Sequence, residues 1–236
     1  MKKFMSLVAA LMLCVGAQAQ IVSSSSRSLK VENAPSTSLK YVRLGVGFMT
    51  FTGEDGENWN TKSKVGYDLS FGFQKPLANV NGLYWGMELG LGSRGFALDV
   101  KEGSDKYMLH NIRFSPFTFG YKYALTDDIQ LDGHLGAFVS FDYAGKNKWE
   151  NEDGEGDDIK LGDWEDKLGW DWNRFDAGME IGVGVWYKRF NLDFTYRRGF
   201  IKPIEYTGEW VDDYAGIDSK PGVYNSNFML RLGIAF

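Results

Sequence analysis

From residue 42 onward the chain changes character at every step. Val42, Leu44, Val46 and Phe48 alternate with Arg43, Gly45 and Gly47, the period of two that gives a strand one oily face and one small or polar face. The pattern returns with Val65, Tyr67, Leu69, Phe71 and Phe73 against Gly66, Asp68, Ser70, Gly72 and Gln74. A third segment sets Trp85, Met87, Leu89 and Leu91 against Gly86, Glu88, Gly90, Gly92 and Arg94 and extends toward Val100. A fourth, Tyr107 to Tyr123, changes parity: Ile112 and Phe114 oppose Arg113, but beyond Pro116 the apolar set is Phe117, Phe119, Tyr121 and Tyr123. Proline cannot donate to a ladder, so a bulge is expected there.

Four more segments follow. The fifth turns Leu131, Leu135, Ala137, Val139 and Phe141 one way and Gln130, Asp132, His134, Gly136 and Ser140 the other. The sixth opposes Phe175, Ala177, Met179, Ile181, Val183 and Val185 to Arg174, Asp176, Gly178, Glu180, Gly182 and Gly184. The seventh opposes Phe190, Leu192, Phe194 and Tyr196 to Asn191, Asp193, Thr195 and Arg197. The eighth carries Phe228, Leu230, Leu232, Ile234 and Phe236 on one face and Asn227, Met229, Arg231, Gly233 and Ala235 on the other. The number is even, and the connections alternate in length. Pro76 to Gly82, Ala124 to Asp128 and Tyr187 to Arg189 are short, whereas Thr52 to Lys64, Tyr143 to Trp172 and Ile201 to Gly222 are long, with Lys101 to Lys106 the shortest of that second set. Short periplasmic turns, long external loops and a terminal Phe236 predict an all-β fold: an eight-stranded antiparallel up-and-down transmembrane β-barrel, lipid outside and a polar lumen within.

The segments before the barrel agree with export. Met1-Lys2-Lys3, an apolar run from Phe4 to Val15 and Ala17-Gln18-Ala19 predict a signal peptide over 1–19. A Ser-rich, aperiodic flexible lead-in is expected over 20–38, with the outer-membrane barrel over 39–236. Cys14, the sole cysteine, falls inside the apolar run, so disulfide and thiol chemistry are excluded from the exported chain. Aromatic residues at 16% and 29 glycines favour β structure with an aromatic girdle. The formal net charge of −5 becomes about −7 without Lys2 and Lys3, which argues against nucleic acid or anionic headgroups as specific partners.

Several stretches resemble the Bacteroidota outer-membrane β-barrel proteins of the PorT-like type. They are the leader ending Ala17-Gln18-Ala19-Gln20, Leu109 to Pro116 running into Gly120-Tyr121-Lys122-Tyr123, Leu135 to Ser140, and Tyr196-Arg197-Arg198-Gly199-Phe200. The family's fourth strand more often reads Leu-Glu-Ile-Pro before its apolar residues, and here the proline falls later. The resemblance implies the barrel fold in the outer membrane and raises an accessory role in a secretion or uptake assembly as one reading.

The expected lumen holds Asp68, Glu88, Asp132, Asp176, Glu180 and Asp193 with Arg43, Arg94, Arg113, Arg174, Arg197 and Arg231, a balanced set that predicts mutual pairing and a plug. His110 and His134 are the two histidines, and Asp132 sits two residues before His134 on the same face. Ser140 lies about 20 Å further along that strand, out of reach, and no nucleophile motif appears. The chain is therefore expected to be no enzyme, with no catalytic residue and no cofactor. A lipid-modifying enzyme of the outer membrane is the alternative of a different class.

Between Tyr143 and Trp172 run Glu150, Glu152, Asp153, Glu155, Asp157, Asp158, Asp163, Glu165, Asp166 and Asp171, interleaved with Trp149, Trp164, Trp170 and Trp172. The nearest match to a calcium loop, Asn151-x-Asp153-x-Glu155-Gly156, has Gly162 where a bidentate Glu belongs. The expectation is a solvated acidic external loop, with weak divalent-cation binding as its alternative and any metal ligand undefined. Its tryptophans are expected in the membrane girdle or against an outside partner. The function expected is non-catalytic, in envelope structure or surface interaction, with outer-membrane lipid and envelope proteins as partners.

Overall fold

Each alternating segment forms a strand, and each strand pairs with its neighbours until the last meets the first. The computed structural model describes residues 38–53, 61–77, 81–100, 103–151, 156, 158–206 and 221–236. The expected signal peptide and nearly all of the lead-in lie outside the described residues, as do positions 152–155 and 157 of the acidic run. In chain order come β1 (Leu39–Thr52), β2 (Lys64–Pro76), β3 (Leu83–Val100), β4 (Gly103–Ala124) and β5 (Ile129–Asn151). Next are β6 (Asp158–Lys160), a 3-10 turn at Leu161–Asp163, α1 (Trp164–Leu168) and β7 (Trp170–Trp172). Last come β8 (Phe175–Tyr187), β9 (Phe190–Gly199), β10 (Ile204–Tyr206) and β11 (Tyr224–Ala235).

The eight long strands close antiparallel in the order β1-β2-β3-β4-β5-β8-β9-β11, and β11 returns to β1. Leu44 lies opposite Leu69 on one side and Leu232 on the other, so no strand edge faces hydrocarbon. The period-two pattern decides which face is which. Val46 is 60% exposed and Leu232 66%, whereas Arg231 is 1% exposed and Asp193 0%. Such a sheet is inverted relative to a water-soluble one, as a lipid surround requires. Glycine makes room inside: a Cβ on Gly120 would stand 2.3 Å from the Tyr84 ring, and one on Gly182 would stand 2.4 Å from His134 Nε2.

The bulge expected at Pro116 is present. The β4–β5 register shifts between Phe114 and Phe117, carrying the outward set from one parity to the other. The long connections differ from expectation. β5 continues to Asn151, and residues 158–172 fold into β6, the 3-10 turn, α1 and β7, so the expected loop is largely structured. β10, within the expected final loop, pairs with β7. The ladder continues because residues 103–109 pair with 145–151 without interruption, and paired backbone groups satisfy one another better than an open loop would.

Candidate functional site

The lumen is filled in three layers. At mid-height Glu88 meets Arg231 at 2.8 Å, Arg113 at 3.0 Å, Arg43 at 3.2 Å and Arg197 at 3.6 Å. Asp68 contacts Arg197 at 2.8 Å and Arg113 at 3.0 Å, Glu180 contacts Arg197 at 3.0 Å, and Asp193 contacts Arg231 at 2.7 Å. These side chains come from β1, β2, β3, β4, β8, β9 and β11, so the network laces the barrel across its width. The physical reason is cost: an unpaired charge in this interior costs several kcal/mol, and here each carboxylate has at least one guanidinium.

Nearer the periplasmic end, Asp132 accepts hydrogen bonds from Tyr84 Oη at 2.7 Å and Trp186 Nε1 at 2.9 Å. Lys122, opposite Asp132 in the ladder, places its ammonium 4.2 Å from the Trp186 ring centre. Toward the extracellular end, Arg94 pairs with Asp142 and donates to Asp176 at 2.7 Å, and Asn225 donates to Asp176 at 3.1 Å. Asp142 and Lys122 escaped the sequence reading. Asp142 stands two residues past Ser140 on the inward parity, but the strand was ended at Phe141. Lys122 stands between Tyr121 and Tyr123, and its partner Asp132 comes from the next strand.

Arg174 is a correction. Expected in the lumen, it is exposed, because β8 starts one residue later at Phe175. Its backbone carbonyl does the inward work, accepting the Asp142 N–H at 2.8 Å.

Above the ions sits an aromatic cap. Phe51, Phe96, Tyr107, Leu109, Leu161, Trp164, Trp172, Ile204 and Val223 form one buried cluster. Phe96 stacks on Tyr107 with ring centres 4.5 Å apart, and Trp164 stands edge-on to Tyr107 at 5.5 Å and to Trp172 at 5.8 Å. Trp164 donates to Ile159 O at 3.1 Å, and Trp172 donates to Asp142 at 2.6 Å, tying cap to lumen. Trp164 and Trp172 are thus not girdle residues. They close the outer mouth because their indole N–H groups have partners there and their rings have a core to enter.

The lattice of antiparallel strands is thus closed, oily outside and ion-paired inside. The chain belongs to the outer membrane protein beta-barrel domain family, whose model matches residues 18–205. The protein is accordingly an outer-membrane barrel, located in that membrane. No curated protein matches it. Among solved structures it is similar to OprG from Pseudomonas aeruginosa, at 9% identity over 88% of this chain and 99% of that one, with a TM-score of 0.47. It is similar to the outer membrane enzyme PagL at 16% identity, 82% and 98% coverage, TM-score 0.46. It is also similar to Ail of Yersinia pestis, solved in complex with the heparin analogue sucrose octasulfate, at 14% identity, 84% and 99% coverage, TM-score 0.37.

Within this family barrel the two histidines part company. His134 is buried, its Nε2 3.4 Å from Thr195 Oγ1 and its Nδ1 3.8 Å from Asp132. That order resembles a nucleophile, base and orienting acid, and the pairing of the inward Thr195 with His134 was invisible in the sequence because Thr195 arrives from β9. The hydroxyl is committed elsewhere: it donates to Asp193 at 2.7 Å and accepts from Arg231 at 2.9 Å. Ser140 is far from His134 and lines a separate cavity of about 20 Å³ with Arg94, Arg113, Asp176 and Arg197, room for about a water molecule or two. His110 faces outward, with Nδ1 2.9 Å from Tyr67 Oη and its ring 6.3 Å from that of Tyr143. Among the described residues no three His, Cys, Asp or Glu side chains converge as metal ligands. The calcium-loop candidates Asp153 and Glu155 lie outside the described residues.

Proposed function

We propose that this outer-membrane barrel is a closed, non-catalytic scaffold that acts in envelope structure or surface contact through its extracellular end. The filled lumen carries this reading: three layers of paired side chains lie under an aromatic cap, and the cavity beside Ser140 is of about 20 Å³, room for about a water molecule or two. The buried, committed Thr195 hydroxyl supports the absence of lipid chemistry, since a nucleophile must reach its substrate. Within the family, the motifs Leu109 to Pro116 and Tyr196 to Phe200 support placement with the PorT-like barrels, and with it an envelope protein as partner.

The test is incubation of the purified barrel in vesicles of outer-membrane lipid, followed by mass spectrometry of the lipids, with parallel identification of proteins that co-purify from native membranes. We expect unchanged lipids and a defined envelope partner. Lipid turnover abolished by His134→Ala or His110→Ala would replace the scaffold reading with an enzyme.

A further inference from the structure

The external ribbon of β3, β4 and β5 carries lysines where strand pairing should discourage them. Lys106 lies directly opposite Lys148, and Lys146 lies directly opposite Lys160. Like charges paired across strands are destabilising, and here two such pairs sit side by side. Lys62 joins the row, since it bridges Ala97, which in turn faces Lys106. Among the described residues Glu150 spans Lys106 at 2.5 Å and Lys148 at 2.6 Å, and Asp158 meets Lys146 at 2.8 Å, so two carboxylates serve three lysines.

The place of this strip on the barrel points to its occupant. Along β4 the inward side chains are Tyr107 and Leu109, so His110, Met108 and Lys106 share the outward face with lipid-facing Ile112 and Phe114. His110 and its neighbours Tyr67 and Tyr143 make an amphipathic band typical of a membrane interface. Lys146, opposite Met108, stands about 7 Å beyond His110, and Lys106 about 13 Å beyond it, at about 3.3 Å per residue. Lys146 thus stands at the depth of headgroups, which extend roughly 5 to 7 Å past the hydrocarbon on each side, and Lys106 with Lys148 opposite it stands further out. A lipid whose chains lie on Ile112 and Phe114 delivers its headgroup to the lysines.

We infer that this lysine strip is a binding site for a phosphorylated glycolipid of the outer leaflet, held through its phosphate groups. The chain's overall negative charge argues against anionic headgroups, but that total averages over the whole molecule: on this face the described residues set Lys106, Lys146, Lys148 and Lys160 around Glu150 and Asp158. The experiment reconstitutes the full chain in zwitterionic nanodiscs with a trace of bis-phosphorylated lipid A and reads binding by native mass spectrometry. Replacement of the three central lysines (Lys106→Gln, Lys146→Gln and Lys148→Gln) should weaken binding at least about tenfold. The pair Lys146→Gln and Lys160→Gln serves if the triple variant fails to fold. Dephosphorylated lipid should bind wild type as weakly as the variants bind lipid A. Equal retention of both lipids, or undiminished binding by the variants, overturns the inference, and displacement by millimolar inorganic phosphate would reassign the strip to a soluble anion.

Discussion

The lumen and the cap close the same barrel by opposite chemistry. In the lumen, Glu88 alone meets four guanidinium groups, and each of those arginines returns to a further carboxylate from another strand, so removal of one member strands several charges. In the cap, Trp164 and Trp172 contribute contact area and one indole hydrogen bond each. An ionic closure is brittle, because its members cannot be desolvated singly. An apolar closure is graded and separable, because dispersion and burial add contact by contact. The barrel wall should therefore depend on its lumen far more than on its cap.

The largest effect is expected from Glu88→Gln, which leaves Arg43, Arg113, Arg197 and Arg231 short of a carboxylate and should cost about 3 to 5 kcal/mol in a folding titration in lipid vesicles. Combining it with Arg231→Met should restore part of that loss, and a variant as stable as wild type would break the contrast. Next is Ile181→Arg on the lipid face, between Leu135 and Tyr196, with an expected cost of about 2 to 4 kcal/mol near the midplane. The same titration with Gly182→Leu, one residue along on the inner face, should show about 1 to 3 kcal/mol from overpacking against His134 and Thr195. A null result at Ile181 beside a large one at Gly182 would exchange the two faces.

The smallest effect on the barrel is expected from the cap. Deleting residues 158–168 should leave the eight-stranded wall folded, with a smaller loss in the same titration than Glu88→Gln gives. Trp164→Ala should speed tryptic cleavage at Lys160 and Lys167 while the strands stay protected. Loss of the folded barrel in either variant would show that cap and wall are one cooperative unit.

The same contrast explains what could be read from the chain alone. Alternation set both faces of every strand and nearly every lumen charge, since Arg43, Glu88 and Arg231 each sit between outward apolar neighbours. The bulge followed from Pro116 and a change of parity. The cap was not legible because its members come from distant segments without a shared period: Phe51 from β1, Phe96 from β3, Trp164 from α1 and Val223 from before β11. Acidic residues around Trp164 and Trp172 suggested a solvated loop, yet those acids point outward from a buried aromatic core. Thr195 beside His134 was hidden for a related reason, since a contact made over Gly182 of the intervening β8 leaves no trace in local spacing.

The central claim is that the ion-paired lumen seals the barrel without help from the cap. Planar-bilayer recording of the purified chain, beside the variant lacking residues 158–168, tests it most directly. The account expects no stable single-channel steps from either protein. Regular steps from the shortened chain would make the cap the seal, and steps from the intact chain would contradict a sealed barrel altogether.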